Sequence, residues 1–304
     1  MLICDTHADT LYSLQNAARD LSQPLDVTLQ TLTAGSAEDI RVQALALWTG
    51  PEGLMGQDVG LIDREMQALQ TLEKQGFHQV TDLSAAKPGA ANYLLTIEGG
   101  EVFIGGLQTV DAFALWGVRM AAIVWNHENP FAYPAVSGVD KGLTGLGRKL
   151  IQRMNERHMA VDVSHLNAAG VRDAIKYSGA PIIASHSCCR ALRDHPRNLT
   201  DDQLKAIFDM GGYVGVNFYP QFLNSKSDAN LDTVIDHVEH MAALGGAKQI
   251  GMGSDFDGID NHPVGLEDAS CVYALFARMR ERGFSEEAVT DFAGENFKRY
   301  LAKV

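Results

Sequence analysis

The sequence predicts an α/β protein folded as a distorted (β/α)8 barrel, with an active site at the C-terminal ends of its strands. Three observations predict it. Eight short apolar, β-rich runs recur along the chain, and a longer helical pattern separates each run from the next. The runs are apolar almost throughout rather than alternating, as strands buried on both faces are. At 304 residues with no Pro/Ser linker, charge block or low-complexity stretch, residues 1–304 read as one barrel domain.

The runs are LICDTH (2–7), VQALALWT (42–49), NYLLTIEG (92–99), RMAAIVWN (119–126), MAVDVSH (159–165), PIIASHS (181–187), GYVGVNFY (212–219) and QIGMGSDFDG (249–258). Pro181 suits the opening of the sixth, where a missing N–H is tolerated. Thr200 and Gln203 have capping-box spacing and start a helix that stops at Gly211-Gly212. Ser285 is the N-cap of a helix with Glu286 and Glu287 in its first turn. Val289, Phe292, Ala293 and Tyr300 form that helix's apolar stripe. Segment 127–148, with Pro130, Pro134 and several glycines, reads as a long loop at the barrel mouth.

Composition narrows the function classes. Hydrophobic residues make up 46% and charged residues 21%, enough for a large core. The net charge of −13, from 25 basic and 38 acidic residues, argues against a nucleic-acid or acidic-membrane surface. No apolar run approaches the roughly 20 residues of a membrane helix, and the opening residues are read as lacking the pattern of a secretory signal. Cys4, Cys188, Cys189 and Cys271 lack metal-knuckle spacing and read as structural thiols of a cytoplasmic protein.

The ends of the runs carry the chemistry. His7 and Asp9 close the first, Glu98 the third, His165 the fifth, His186 the sixth, and Asp255 with Asp257 the eighth. In a strand, residues two apart share a face, so His7 and Asp9 point the same way. Strand C-termini converge on one mouth, which assembles an N/O donor set suited to zinc or a similar metal. The set suffices for two ions sharing a carboxylate, which together can activate a water between them. Glu98 is the natural bridge, and Asp255 is the remaining acid, suited to moving a proton. Other histidines read as surface groups, including both in HVEH (237–240), although His195 could shape a substrate pocket. Asp257 reads as a loop-structuring residue.

DTHADT, IEGGE, DVSH, ASHS, HPRNLTDD, VNFY and GSDFDG…GLED occur in the order seen in the membrane (renal) dipeptidase family, zinc peptidases of the amidohydrolase superfamily. The chain resembles that family from about residue 3 to residue 301. The resemblance implies two zinc ions per subunit, one on His7 and Asp9, the other on His165 and His186, with Glu98 bridging. It implies Asp255 as proton shuttle and Arg197 as partner of the dipeptide's C-terminal carboxylate. Tyr219 is a candidate for lining the pocket. Animal members carry a His where this chain has Asn126, so oxyanion assistance falls to Asn126, to His127 or to metal alone, with Asn126 favoured as a donor. The expected function is hydrolysis of L-L and L-D dipeptides by a metal-bridging hydroxide, in a cytoplasmic homo-oligomer (dimer or higher). The rivals are lactone, cyclic-amide or phosphoester hydrolysis, and a catalytically silent binding protein.

Overall fold

The computed structural model describes residues 1–16, 24–50, 60–226 and 228–304. In it the apolar runs become parallel strands: β1 (Leu2–Asp5), β2 (Ile40–Trp48), β3 (Phe77–Gln79), β4 (Ala91–Glu98), β5 (Val118–Ala122), β6 (Ala160–Asp162), β7 (Ile183–Ala184), β8 (Tyr213–Val216) and β9 (Ile250–Met252). Because β2 pairs with both β1 and β4, and β9 with β1 and β8, eight of these strands close into a barrel. All eight expected strands are present. The short β3 was not expected; it pairs with Ala91–Tyr93 of β4, while β5 pairs with β4 from Leu95 onward.

Alternation along the strands sorts their side chains into two layers. Cys4, Ala44, Leu94, Met120, Ala160, Ile183 and Tyr213 belong to one buried cluster. Their neighbours Ile3, Leu45, Leu95, Ala121, Val161, Ala184 and Val214 pack in the other. The second layer meets the helices: α1 (Thr10–Gln15), α2 (Leu29–Thr33), α3 (Leu61–Gln75), α4 (Gln108–Leu115), α5 (Gly145–Glu156), α6 (Ala168–Tyr177), α7 (Asp201–Asp209), α8 (Pro220–Leu223), α9 (Leu231–Met241), α10 (Val272–Glu281), α11 (Glu286–Thr290) and α12 (Asn296–Leu301). Phe297, Tyr300 and Leu301 of α12 join Leu2 and Tyr213 in the inner cluster, covering the N-terminal end of the barrel. The C-terminal rim is left for chemistry.

The Thr200–Gln203 capping box forms as expected, and Ser285 accepts from the Ala288 amide. Segment 127–148 departs from the all-loop reading, because Thr144 caps α5 from Gly145 onward. Its glycines do not mark a loop there. A Cβ on Gly147 would lie 2.3 Å from the Phe131 carbonyl oxygen, so glycine is what lets this helix pack closely. The HVEH reading is also corrected. His237 is fully buried, accepting from the Cys189 amide at Nδ1 and facing the Leu223 carbonyl with Nε2, whereas His240 bonds Asp201 near the surface. Cys4, Cys188 and Cys189 are buried free thiols, consistent with structural roles. Among the described residues no helix is long and apolar enough to cross a membrane.

Candidate active site

His7, Glu98, His165, His186 and Asp255 lie at or just beyond the ends of β1, β4, β6, β7 and β9, on one rim. Asp9 arrives by a different route from the one expected. β1 stops at Asp5, Ala8 bridges to Phe256, and Asp9 immediately precedes α1. Period-two geometry therefore does not place Asp9; pairing with the segment after β9 does. That segment holds Asp255 (φ 67°) and Asp257 (φ 64°) in the left-handed region, a strained conformation that Asp tolerates better than most residues. Hydrogen bonds over-determine it: the Asp255 amide donates to the His7 carbonyl, the Asp9 amide to the Phe256 carbonyl, and the Asp257 amide to Asp26. Gly258 completes the turn, since a Cβ there would lie 2.1 Å from Asp9 Oδ2.

The donor atoms converge. Glu98 Oε1 lies 2.7 Å from His165 Nε2, 3.4 Å from His186 Nε2 and 3.7 Å from His7 Nε2. His7 Nε2 is 3.5 Å from Asp9 Oδ2 and 3.6 Å from Asp255 Oδ1. Three overlapping groups, His7/Asp9/Glu98, Glu98/His165/His186 and His7/His186/Asp255, each bring three ligating atoms within 4.8 Å of one another. Glu98 belongs to two of them. His7 Nε2 and Asp9 Oδ1 are buried without a hydrogen-bond partner among the described residues, which is costly unless something else satisfies them. Imidazole and carboxylate donors of this kind fit a zinc-like cation.

Electrostatics point the same way. Burial pushes the Glu98 carboxyl well above its ordinary range, and the charge of Asp9 adds to this. Burial also raises Asp255. Burial alone would lower His7, but the charges of Glu98, Asp9 and Asp255 hold it up at about 10. His165 and His186 are driven the other way, first by burial and then by the positive charges of Arg197 and His7, leaving neutral imidazoles. Crowded carboxylates beside neutral imidazoles are the electrostatic setting a bound cation relieves.

Above the cluster opens a cavity of about 530 Å³, the size of a small-ligand site. Tyr219, Asn126, His195 and Arg197 all line it. Arg197 is buried; its Nη2 lies 2.9 Å from His165 Nε2, and its Nη1 has no partner among the described residues. Tyr219 packs edge-on against Phe222, over which Arg197 lies. Asn126 is already engaged, with its Oδ1 3.0 Å from His165 Nδ1. The reading of Asn126 as a substrate-facing donor does not include this bond. His127 packs beside Trp125.

Sequence reasoning missed further residues. Asn217 Nδ2 donates to Asp255 Oδ2 at 2.8 Å, and Tyr12, Trp48 and Trp125 wall the cavity as edge-on aromatic neighbours. Asn217 stands in the quoted VNFY motif, the one signal that could have found it. Asp257 does structure its loop, accepting from Thr10 Oγ1 and the Asp26 amide.

Known proteins place the chain in a family. The profile of the membrane dipeptidase family (peptidase family M19) matches residues 1–304. An uncharacterized dipeptidase of Schizosaccharomyces pombe is 40% identical over 210 residues, 68% of this chain and 51% of that one; the match thus spans about half of that relative's length. A solved metallopeptidase from Rhodobacter sphaeroides, liganded with a phosphinate mimic of L-Ala-D-Ala, superposes with a TM-score of 0.87 at 24% identity, covering 100% of this chain and 99% of that one. Dipeptidase AC, an M19 metallopeptidase, superposes with a TM-score of 0.86 at 26% identity, covering 100% and 98%. Whole-chain agreement in profile and fold leaves one assignment: this chain belongs to the membrane dipeptidase family.

Proposed function

We propose that the chain is a binuclear zinc dipeptidase that hydrolyses the peptide bond of free dipeptides, L-Xaa-D-Xaa as well as L-L. The observation that carries this reading is the pair of donor groups that share Glu98, His7/Asp9/Glu98 and Glu98/His165/His186, with two ligand atoms unpartnered among the described residues. His7 and Asp9 would hold one ion, His165 and His186 the other, and Glu98 would reach both. When bound, such ions supply Lewis acidity that polarises the scissile carbonyl and acidifies water.

The remaining work belongs to the chain's own groups. Arg197 offers its unpartnered Nη1 to the substrate's C-terminal carboxylate, a contact that selects free dipeptides over longer peptides. Asn126 accepts from His165 Nδ1–H, which leaves Nε2 as the ligating atom, and keeps its amide N–H groups as donors toward the cavity. Asp255 takes the proton that water loses on attacking the carbonyl and passes it to the leaving amine. Asn217 holds one oxygen of Asp255, so the other faces the reaction.

A steady-state screen tests this reading. Zinc-loaded protein should turn over L-L and L-D dipeptides and act poorly on their C-terminal amides, and Arg197→Met should close that gap mainly by raising KM for the free dipeptides. Faster turnover of lactones or phosphotriesters than of any dipeptide would overturn it.

A further inference from the structure

His186 reaches the cluster with Nε2, and its other nitrogen faces a buried polar chain that no metal or substrate role accounts for. Nδ1 lies 2.8 Å from Ser185 Oγ, and Ser185 Oγ in turn bonds Asp162 Oδ2. Asp162 also accepts from Ser164 Oγ at 2.6 Å and from the amides of Ser164 and Ser185, both at 3.0 Å. Asp162, Ser164, Ser185 and His186 are all buried. The four donors converging on Asp162 match an acceptor-only carboxylate.

Counting protons orders the chain. Each serine has one hydroxyl hydrogen, and the nearest acceptor to each is an Asp162 oxygen, closer than the 3.1 Å between the two hydroxyls themselves. The Ser185 hydroxyl therefore has none left for His186 and can only accept from it. His186 must then carry its proton on Nδ1, which leaves the Nε2 lone pair facing His165 Nε2 at 3.0 Å and Glu98 Oε1 at 3.4 Å. Ser164 Oγ, its own hydrogen also spent on Asp162, accepts from the His186 amide at 3.1 Å and fixes the backbone beneath the ring.

We infer that Asp162 and Ser185 are positioning residues that set the tautomer and orientation of His186, the carboxylate acting on the imidazole through the serine hydroxyl. This rests on the reading of His186 as a metal ligand. It also accounts for the spacing of DVSH and ASHS. Asp162 closes β6, and Ser185 follows β7, its pairing neighbour, so the strand register itself brings the acid to the serine. His165 is backed differently, by the neutral amide of Asn126. The two imidazoles are thus served by a charged and an uncharged partner.

Zinc affinity measured by competition with a chromophoric chelator tests the inference, alongside ¹⁵N-histidine spectra of the metal-free protein. Asp162→Asn and Ser185→Ala should each weaken one zinc site by about 10–100-fold, the usual effect of losing a ligand's hydrogen-bond partner. The double variant should be no weaker than the worse single, because both break one chain. The spectra should show His186 protonated at Nδ1 in the wild type and partly at Nε2 in the variants. A merely structural role would lower thermal stability and leave the tautomer unchanged. Ser185→Ala, which deletes a single oxygen, decides the matter should Asp162→Asn fail to fold. Wild-type zinc affinity and an unchanged His186 tautomer in Ser185→Ala would overturn the inference, whereas a wild type that binds no zinc would overturn the metal site itself.

Discussion

Asp255 carries the heaviest chemical assignment of any single residue. It is within ligating reach of His7 and His186, yet Asn217 holds its second oxygen and its backbone is bound in a left-handed conformation. A group held this way can move a proton without moving its backbone. Asp255→Asn should keep both zinc ions by elemental analysis and lose about 10²–10⁴-fold in kcat, the usual worth of a positioned acid–base group. Loss of metal instead would make Asp255 a ligand. Five of the six acidic and imidazole groups of the cluster were legible as polar ends of apolar runs, because barrel topology turns strand ends into neighbours, whereas Asp9 is carried there by the bridge from Ala8 to Phe256. His237 was not legible. Its i, i+3 spacing with His240 marks a helix face, but only the Cys189 amide and the Leu223 carbonyl, remote in sequence, make that face buried. Asn126 was read for its substitution in the family motif, and its bond to His165 needed the folded distance.

At the scale of elements, the segment after β9 is tied to the N-terminal part of the chain by Asp26. That carboxylate accepts from the Asp257 amide and pairs with His262 Nε2 at 2.7 Å. The hydrogen bond to Asp26, and then its charge, raises the His262 imidazole above its ordinary 6.5; Asp257 and Glu267 also face it. A raised folded-state value means that protonated His262 stabilises the fold. The contribution is fully present below pH 6.5 and is lost as pH rises through the folded value. His262→Gln should therefore cost about 1 kcal/mol or less in urea denaturation at pH 6, given partial solvent screening, and progressively less toward pH 9. A cost that grows with pH would contradict the pairing. This tie was invisible in the sequence, where residues 26 and 262 are separated by almost the whole barrel.

For the whole molecule, the (β/α)8 architecture could be read because largely apolar strand runs and helical patterns alternate eight times, and closure through the β2–β4 pairing bears it out. The extra strand β3 escaped because three residues, only the first of them buried, carry no periodic signal. The barrel serves chemistry at one end and packing at the other: α12 covers the N-terminal end, while the opposite rim gathers buried carboxylates whose repulsion a cation would relieve. Metal binding to such a rim stabilises the fold as well as enabling hydrolysis. The decisive measurement is a zinc titration of metal-stripped protein, following bound zinc per chain and dipeptide turnover together. Two zinc ions should bind per chain, with turnover absent before loading and rising as the ions bind, and Glu98→Gln should impair both sites at once. Dipeptide turnover at full rate in the stripped protein, or zinc binding left intact by Glu98→Gln, would contradict it.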